Sequence, residues 1–158
     1  MSPKGEPAGQ KTVVSNRRAR HDYEILERFE AGIVLTGAEV KSLRGGRGSL
    51  AEAFARVRGE EVWLERMHIP PYEQAMDKGR YDPTRTRKLL LHRKEIERLI
   101  GKTAERGLTL VPLRVYFTHG LAKVEIGLGR GKRRFEKRQA IAEREHRREM
   151  EREAGRRR

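Results

Sequence analysis

The sequence predicts a mainly β chain: a small OB-like antiparallel β-barrel with a few short helices and a basic C-terminal tail. Three observations carry that prediction. A β-branched apolar run, Ile33-Val34-Leu35, lies between Gly32 and Gly37, as in a strand buried in a small barrel. Apolar and polar residues then alternate from Val62 to Ile69 and from Leu108 to Leu128, with turn residues between, the signature of antiparallel strands. After Gly129 the apolar pattern stops, and Arg130 to Arg158 holds thirteen Lys or Arg against six Glu. A chain of 158 residues suits one domain with a modest core.

Residues 1–15 carry Pro3, Gly5, Pro7 and Gly9 among few apolar side chains, so a flexible leader is expected. The barrel is placed at 16–129. It opens on a basic stretch, Asn16, Arg17, Arg18, Arg20 and His21, ending in Tyr23. Guanidinium groups, an amide and an aromatic ring are tools for phosphate contact and for stacking on unpaired bases. The same stretch serves equally as a solvated lead-in to the first strand. Tyr23 to Glu30 mixes apolar and charged residues and is read as a strand bent at Gly32. Glu30 either pairs with a neighbouring arginine or accepts from a base amino group or a sugar hydroxyl.

From Ala38 the period changes to that of a helix, with Ala38, Val40 and Leu43 apolar and Gly45, Gly46 and Gly48 as its stop. Lys41, Arg44 and Arg47 ring this corner. Phe54 to Arg58, a turn at Gly59-Glu60 and Val62 to Ile69 make a hairpin; Trp63, among Val, Leu and Met, is assigned to the core. Pro70 to Lys88 is a proline-rich loop that ends in Arg85, Arg87 and Lys88, a basic rim before Leu89-Leu90-Leu91. Alternation buries Leu89 and Leu91 and turns Leu90 outward as a contact candidate. His92 to Arg106 has Ile96, Leu99, Ile100, Thr103 and Ala104 on one helical face and Gly107 as its stop. Two strands close the barrel, Leu108 to Phe117 and Leu121 to Leu128, joined at His119-Gly120. Pro112 requires an edge or a bulge.

Residues 130–158 form the tail. The surplus of +7 there is half of the chain's formal net charge of +14. Its few apolar residues cannot offset the entropy of ordering, yet it lacks proline and is rich in Glu, Arg and Ala. It is expected to be disordered when free and helical against an anionic surface.

The positive charge favours a polyanionic partner, nucleic acid first and acidic membrane second. No apolar run approaches the ~20 residues of a membrane helix. The N-terminus has no apolar signal region, and a cytoplasmic location is expected. There are no cysteines, and the five histidines are dispersed without a metal-ligand spacing. No nucleophile motif is present either, so no enzyme, metal or cofactor is expected. Gly45-Gly46-Arg47-Gly48 matches a GXXG clamp in letters but not in its flanking elements. Gly129-Arg130-Gly131-Lys132 lacks the rest of a P-loop.

Four stretches in order, FEAGIVLTGAEVKSLRGGRGSL from Phe29, NRRARHDY from Asn16, DPTRTRKLLL from Asp82 and GLTLVPLRVY from Gly107 leading to GRGKRRFEKR, resemble the SsrA-binding (SmpB) family. The resemblance implies a non-enzymatic partner of tmRNA that grips the tRNA-like domain. It implies delivery of alanyl-tmRNA to stalled ribosomes for trans-translation and ribosome rescue. Indirect partners would be elongation factor Tu and alanyl-tRNA synthetase, reached through tmRNA. It implies RNA contacts at Asn16, Arg17, Arg18, Arg20, His21, Glu30, Lys41, Arg44, Arg85, Arg87, Lys88 and Leu90. The tail would enter the decoding centre and the vacant mRNA channel, contacting the ribosome through Lys132, Arg133, Arg134, Glu136, Lys137 and Arg138. Glu136 stands where the family commonly has Asp.

Overall fold

A computed structural model describes residues 9–74, 78–105, 107–132 and 134–156, with backbone alone described at 78, 134–143 and 156. The elements run β1 (Gln10–Ser15), α1 (Arg17–Asp22), β2 (Tyr23–Ile33), α2 (Gly37–Arg44), β3 (Phe54–Arg58), β4 (Glu61–Glu65), β5 (Arg87–Leu90), α3 (Arg93–Thr103), β6 (Leu108–Thr118), β7 (Leu121–Gly131) and α4 (Arg134–Arg156). A single 3-10 turn, Lys78–Arg80, lies in the long loop. The sheet order is β1-β6-β3-β4-β5-β2-β7, and β6 also pairs with β7, so the pairings from β6 round to β7 close into a ring. All pairings are antiparallel. The ring is held at two short seams, Ala55↔Leu110 between β3 and β6 and Gly32↔Leu90 with Ile33↔Leu89 between β2 and β5.

One apolar cluster fills the ring. Ala31, Val62, Leu64, Val115, Val124 and Ile126 are fully buried, and Leu43 of α2 and Leu99 of α3 close it with zero exposure. A smaller cluster of Ala19, Val111 and Leu113, with Tyr23 and Ile25 against it, holds α1 on the outside of the sheet.

The structure departs from the sequence reading at both ends. Residues 10–15, assigned to a flexible leader, form β1, which pairs with β6 from Gln10↔Thr118 to Ser15↔Arg114 and buries Val14. Its partner lies about a hundred residues away, so no local pattern announces it. At the other end β7 runs through Gly131 instead of stopping at Leu128. Gly129 ends the apolar pattern in the sequence, but it and Gly127 are packed: a Cβ on Gly127 would lie 3.1 Å from both Ile25 and Leu113. The glycines are space for β2, which bulges between Ile25 and Glu27 to cross them.

Other expectations agree. Pro112 sits at a bulge, where the β6–β7 register shifts between Pro112 and Arg114. The hairpin β3–β4 pairs Phe54↔Glu65 to Arg58↔Glu61. α3 covers Arg93–Thr103 within the stretch expected to be helical, with His92 as its N-cap, and buries Leu99. The segment beyond β7 forms α4, and each described side chain from Arg144 to Gly155 is exposed, so this part is no layer of the barrel.

Trp63 corrects another expectation. Val62 and Leu64 point inward with zero exposure, which turns Trp63 to the outer face, half-buried rather than core. Arg66 adopts a positive φ of 60°, and this left-handed residue resets the alternation. Met67 and Ile69 therefore join Val62 and Leu64 inside, which the simple period of two put on the opposite face.

Candidate RNA interface

The predicted contact residues separate into an interior clamp, one sheet face and one end of the barrel. The clamp centres on Glu39, which α2 buries together with Ser42 and Leu43. Thr36 caps this helix: its hydroxyl accepts from the Glu39 amide at 3.2 Å, and the Glu39 carboxylate accepts from the Thr36 amide at 2.9 Å. Arg87 has zero exposure and donates from Nε to Glu39 at 2.7 Å. Its remaining N–H groups reach the carbonyls of Met67, Arg85 and Pro83 and the Tyr81 hydroxyl. Arg85 donates to both Glu39 oxygens and to the Val34 carbonyl. Burial alone would raise the Glu39 carboxyl, but the bonds from Arg85, the Thr36 amide and Arg87 outweigh it and bring it from the ordinary 4.5 to about 2. Burial and the Glu39 charge push the Tyr81 hydroxyl up.

Arg87 is therefore not an RNA contact. Every N–H of its guanidinium is engaged inside the protein, and no part of it reaches solvent. Arg85 is held by the same carboxylate, with its side chain one-third exposed at 32%. The basic rim read from sequence is mostly a clamp that fastens the 70–88 loop to α2.

The outer sheet face brings Glu30 and Leu90 together. Gly32 pairs with Leu90 on one side and with Lys123 on the other, and Glu30 lies two residues along β2 on the same face. Leu90 is 52% exposed, while Leu89 beside it is buried, as the alternation requires. Gly32 makes the approach possible, since a Cβ there would lie 3.3 Å from that of Leu90. Glu30 is exposed and accepts a hydrogen bond from the Tyr116 hydroxyl. Burial first, and then that bond, hold the Tyr116 phenol well above the ordinary tyrosine range. The Arg114 guanidinium stacks 4.1 Å from the Tyr116 ring and donates to Glu125 at 3.1 Å. Lys123, Arg114 and Tyr116 are members of this face that sequence reasoning missed. The signal available was their alternation on strands that pair with β2.

Lys88 and Arg44 stand near this end. Lys88 precedes Leu90 by two positions on β5 and bonds Glu61 at 3.2 Å. Arg44 lies 5.3 Å from the Phe117 ring and donates to the Gly120 carbonyl at 3.4 Å. Lys41 lies 5.5 Å from the Tyr72 ring.

α1 occupies the opposite end of β2, on the order of 20 Å along the strand from Glu30. Asn16 caps it, accepting from the Ala19 amide at 3.2 Å and donating to the Pro112 carbonyl at 2.9 Å. That side chain is committed to structure. It sets Arg17, Arg18, Arg20 and His21 on an exposed turn beside a cleft of about 170 Å³. The tail departs from this end, because the Lys132 amide donates to the Asp22 carbonyl at 2.7 Å. Arg134, Glu136, Lys137 and Arg138 follow on the α4 backbone, and Arg133 lies outside the described residues. Among the described residues no three His, Asp or Glu are grouped to hold a metal ion, and no helix is long and apolar enough to cross a membrane.

A closed antiparallel barrel with cationic and aromatic side chains on its outer face, a basic helical extension and a strongly positive chain defines a β-barrel protein of the polyanion-binding class. The model of the SmpB protein family matches residues 13–156, and the chain belongs to that family. The SsrA-binding protein of Salinispora arenicola is 61% identical over 149 residues, covering 94% of this chain and 93% of the relative. That of Acidothermus cellulolyticus is 57% identical over 150 residues, covering 95% and 94%. These relatives bear the name of a binding protein, not of an enzyme. A solved structure described as "tmRNA-SmpB: a journey to the center of the bacterial ribosome" is 53% identical, with a TM-score of 0.65, covering 80% of this chain and 92% of the other.

Proposed function

We propose that the chain binds the tRNA-like domain of tmRNA and carries alanyl-tmRNA to stalled ribosomes for trans-translation. The observation that carries the reading is the meeting of Glu30 and Leu90, sixty residues apart in sequence, on one outer face across Gly32. A carboxylate held by Tyr116 offers an acceptor for base amino groups and sugar hydroxyls, and an exposed leucine beside it packs against a sugar or base. Lys88, Arg44 and Lys41 supply phosphate contacts around that face, and Arg85 acts mainly by holding the loop.

The exposed turn of Arg17, Arg18, Arg20 and His21 and the tail from Lys132 share the other end, so one molecule spans two anionic partners. Our reading is that this end faces the ribosome and that the tail, through Lys132, Arg133, Arg134, Glu136, Lys137 and Arg138, enters the decoding centre and the empty mRNA channel. Elongation factor Tu and alanyl-tRNA synthetase are met through tmRNA, in the cytoplasm. Affinity for the isolated tRNA-like domain, measured by fluorescence anisotropy, tests the reading. Glu30→Ala and Leu90→Ala weaken binding with unchanged circular dichroism; equal affinity in both variants, or no preference over ordinary tRNA, overturns it.

A further inference from the structure

The outer face of β3, β4 and β5 holds a second group of side chains, of which the reading above uses only Lys88. Trp63, the only tryptophan in the chain, is half-buried in the middle of it. Its cross-strand neighbours in register are Arg56 on β3 and Lys88 on β5. These two side chains are 48% and 40% exposed. Phe54 and Arg58 lie two residues either side of Arg56 and share its face; Phe54 is 40% exposed, and Arg66 lies 5.8 Å from its ring. A cation therefore flanks the indole on each side, and a second aromatic ring lies one diagonal step away, about 7 Å across an antiparallel pair.

We propose that this face is a stacking platform for a single-stranded RNA segment, with Trp63 under one base, Phe54 under a neighbouring one and Arg56 and Lys88 on the backbone. The chemistry is that of single-strand binders, in which sequence-tolerant aromatic stacking is combined with cations that follow the phosphates. Two carboxylates compete for those cations: Glu65 bonds Arg56 at 2.7 Å and Glu61 bonds Lys88 at 3.2 Å. The Lys88–Glu61 pair is solvent-exposed on both sides and contributes little, so there exchange of a carboxylate for a phosphate is inexpensive; Glu65 is only 15% exposed, and Arg56 exchanges at greater cost. Arg58 and Arg66 add two further positive charges, and the face is cationic in sum. An acidic protein could answer the charge, but a nucleic-acid strand presents a planar base and a phosphate at every residue, which matches alternating rings and cations. The platform is continuous with the Glu30–Leu90 face, since Lys88 and Leu90 are alternate residues of β5. The proposal rests on the RNA-binding reading and extends it from a folded domain to an unpaired strand.

Trp63 reports on its own occupancy, because all indole emission comes from that position. The full chain is titrated with a short 5′-labelled oligouridylate at low salt, following tryptophan emission and label anisotropy in the same samples. A saturating quench with the same midpoint as the anisotropy is expected. Arg56→Glu combined with Lys88→Glu keeps the reporter and lowers oligonucleotide affinity by roughly tenfold or more, as does Trp63→Ala followed by anisotropy, whereas Trp63→Phe retains most of it. Anisotropy that saturates while emission stays unchanged means that the strand binds elsewhere, on the tail or α1, and overturns the proposal. So does failure of the wild-type chain to bind the oligonucleotide. Neither result touches binding of the tRNA-like domain by Glu30 and Leu90, which is measured separately.

Discussion

The hydroxyl of Tyr116 donates a hydrogen bond to the carboxylate of Glu30, joining β6 to β2 over the intervening strand β7. An exposed glutamate on a cationic protein is thereby fixed in place instead of swinging toward the nearest arginine. Tyr116→Phe keeps the buried ring and removes only the donor. Affinity for the tRNA-like domain is expected to fall because the acceptor is no longer held in position, and stability to fall by about 1–2 kcal/mol for the lost intramolecular bond, read as a lower melting temperature with the fold retained. In an ultraviolet pH titration Tyr116 stays protonated after exposed tyrosines have ionised, because burial and the Glu30 charge both oppose a phenolate.

Acid stability depends on Glu39. Its folded pKa of about 2 lies below the ordinary 4.5, so the unfolded chain binds the proton more readily. The stabilisation is complete above pH 4.5 and is lost as pH falls toward 2. A shift of this size corresponds to about 3 kcal/mol. Glu39→Gln should lower neutral-pH stability by several kcal/mol, leaving Arg87 buried without its counter-charge, and should flatten the pH dependence between 4.5 and 2. Denaturant unfolding at a series of pH values reads both.

Gly127→Ala tests whether the glycines of β7 are space or slack. The added methyl meets Ile25 and Leu113 at 3.1 Å, and overpacking of this kind costs about 1–3 kcal/mol. Calorimetry should show a lower melting temperature. An unchanged value would mean that Ile25 and Leu113 give way and that the close packing over Gly127 is not needed.

Cutting the chain after Lys132 removes α4 but none of β7 or α1. Affinity for the tRNA-like domain should be largely preserved, and peptide tagging on stalled ribosomes abolished. Parallel loss of both would make the tail part of the tmRNA-binding surface.

Removing residues 1–15 strips β1 from β6 and uncovers the buried Val14 site. The shortened chain should unfold at lower denaturant concentration than the full chain. Identical midpoints would return this stretch to the role of a leader.

Periodicity made much of this fold legible. The outward turn of Leu90 between Leu89 and Leu91, the apolar face of α3 and the bulge at Pro112 each follow from a local spacing or a missing N–H. The strongly positive composition pointed to a polyanion, and the ordered motifs pointed to the family. All of these are properties of short windows or of the whole chain summed, and neither depends on knowing which distant residues meet.

Only the tertiary structure decided which charges are available. Arg87 and Lys88 are adjacent and alike in sequence, yet one is sealed against Glu39, 48 residues away, and the other stands at the surface. Trp63 faces outward because Val62 and Leu64 on either side of it point inward, and Met67 and Ile69 are inside because one left-handed residue, Arg66, reverses the phase of the chain after it. The value of a charge depends on its partners and on its exposure to water. Barrel closure sets both, by bringing together residues that no local pattern connects.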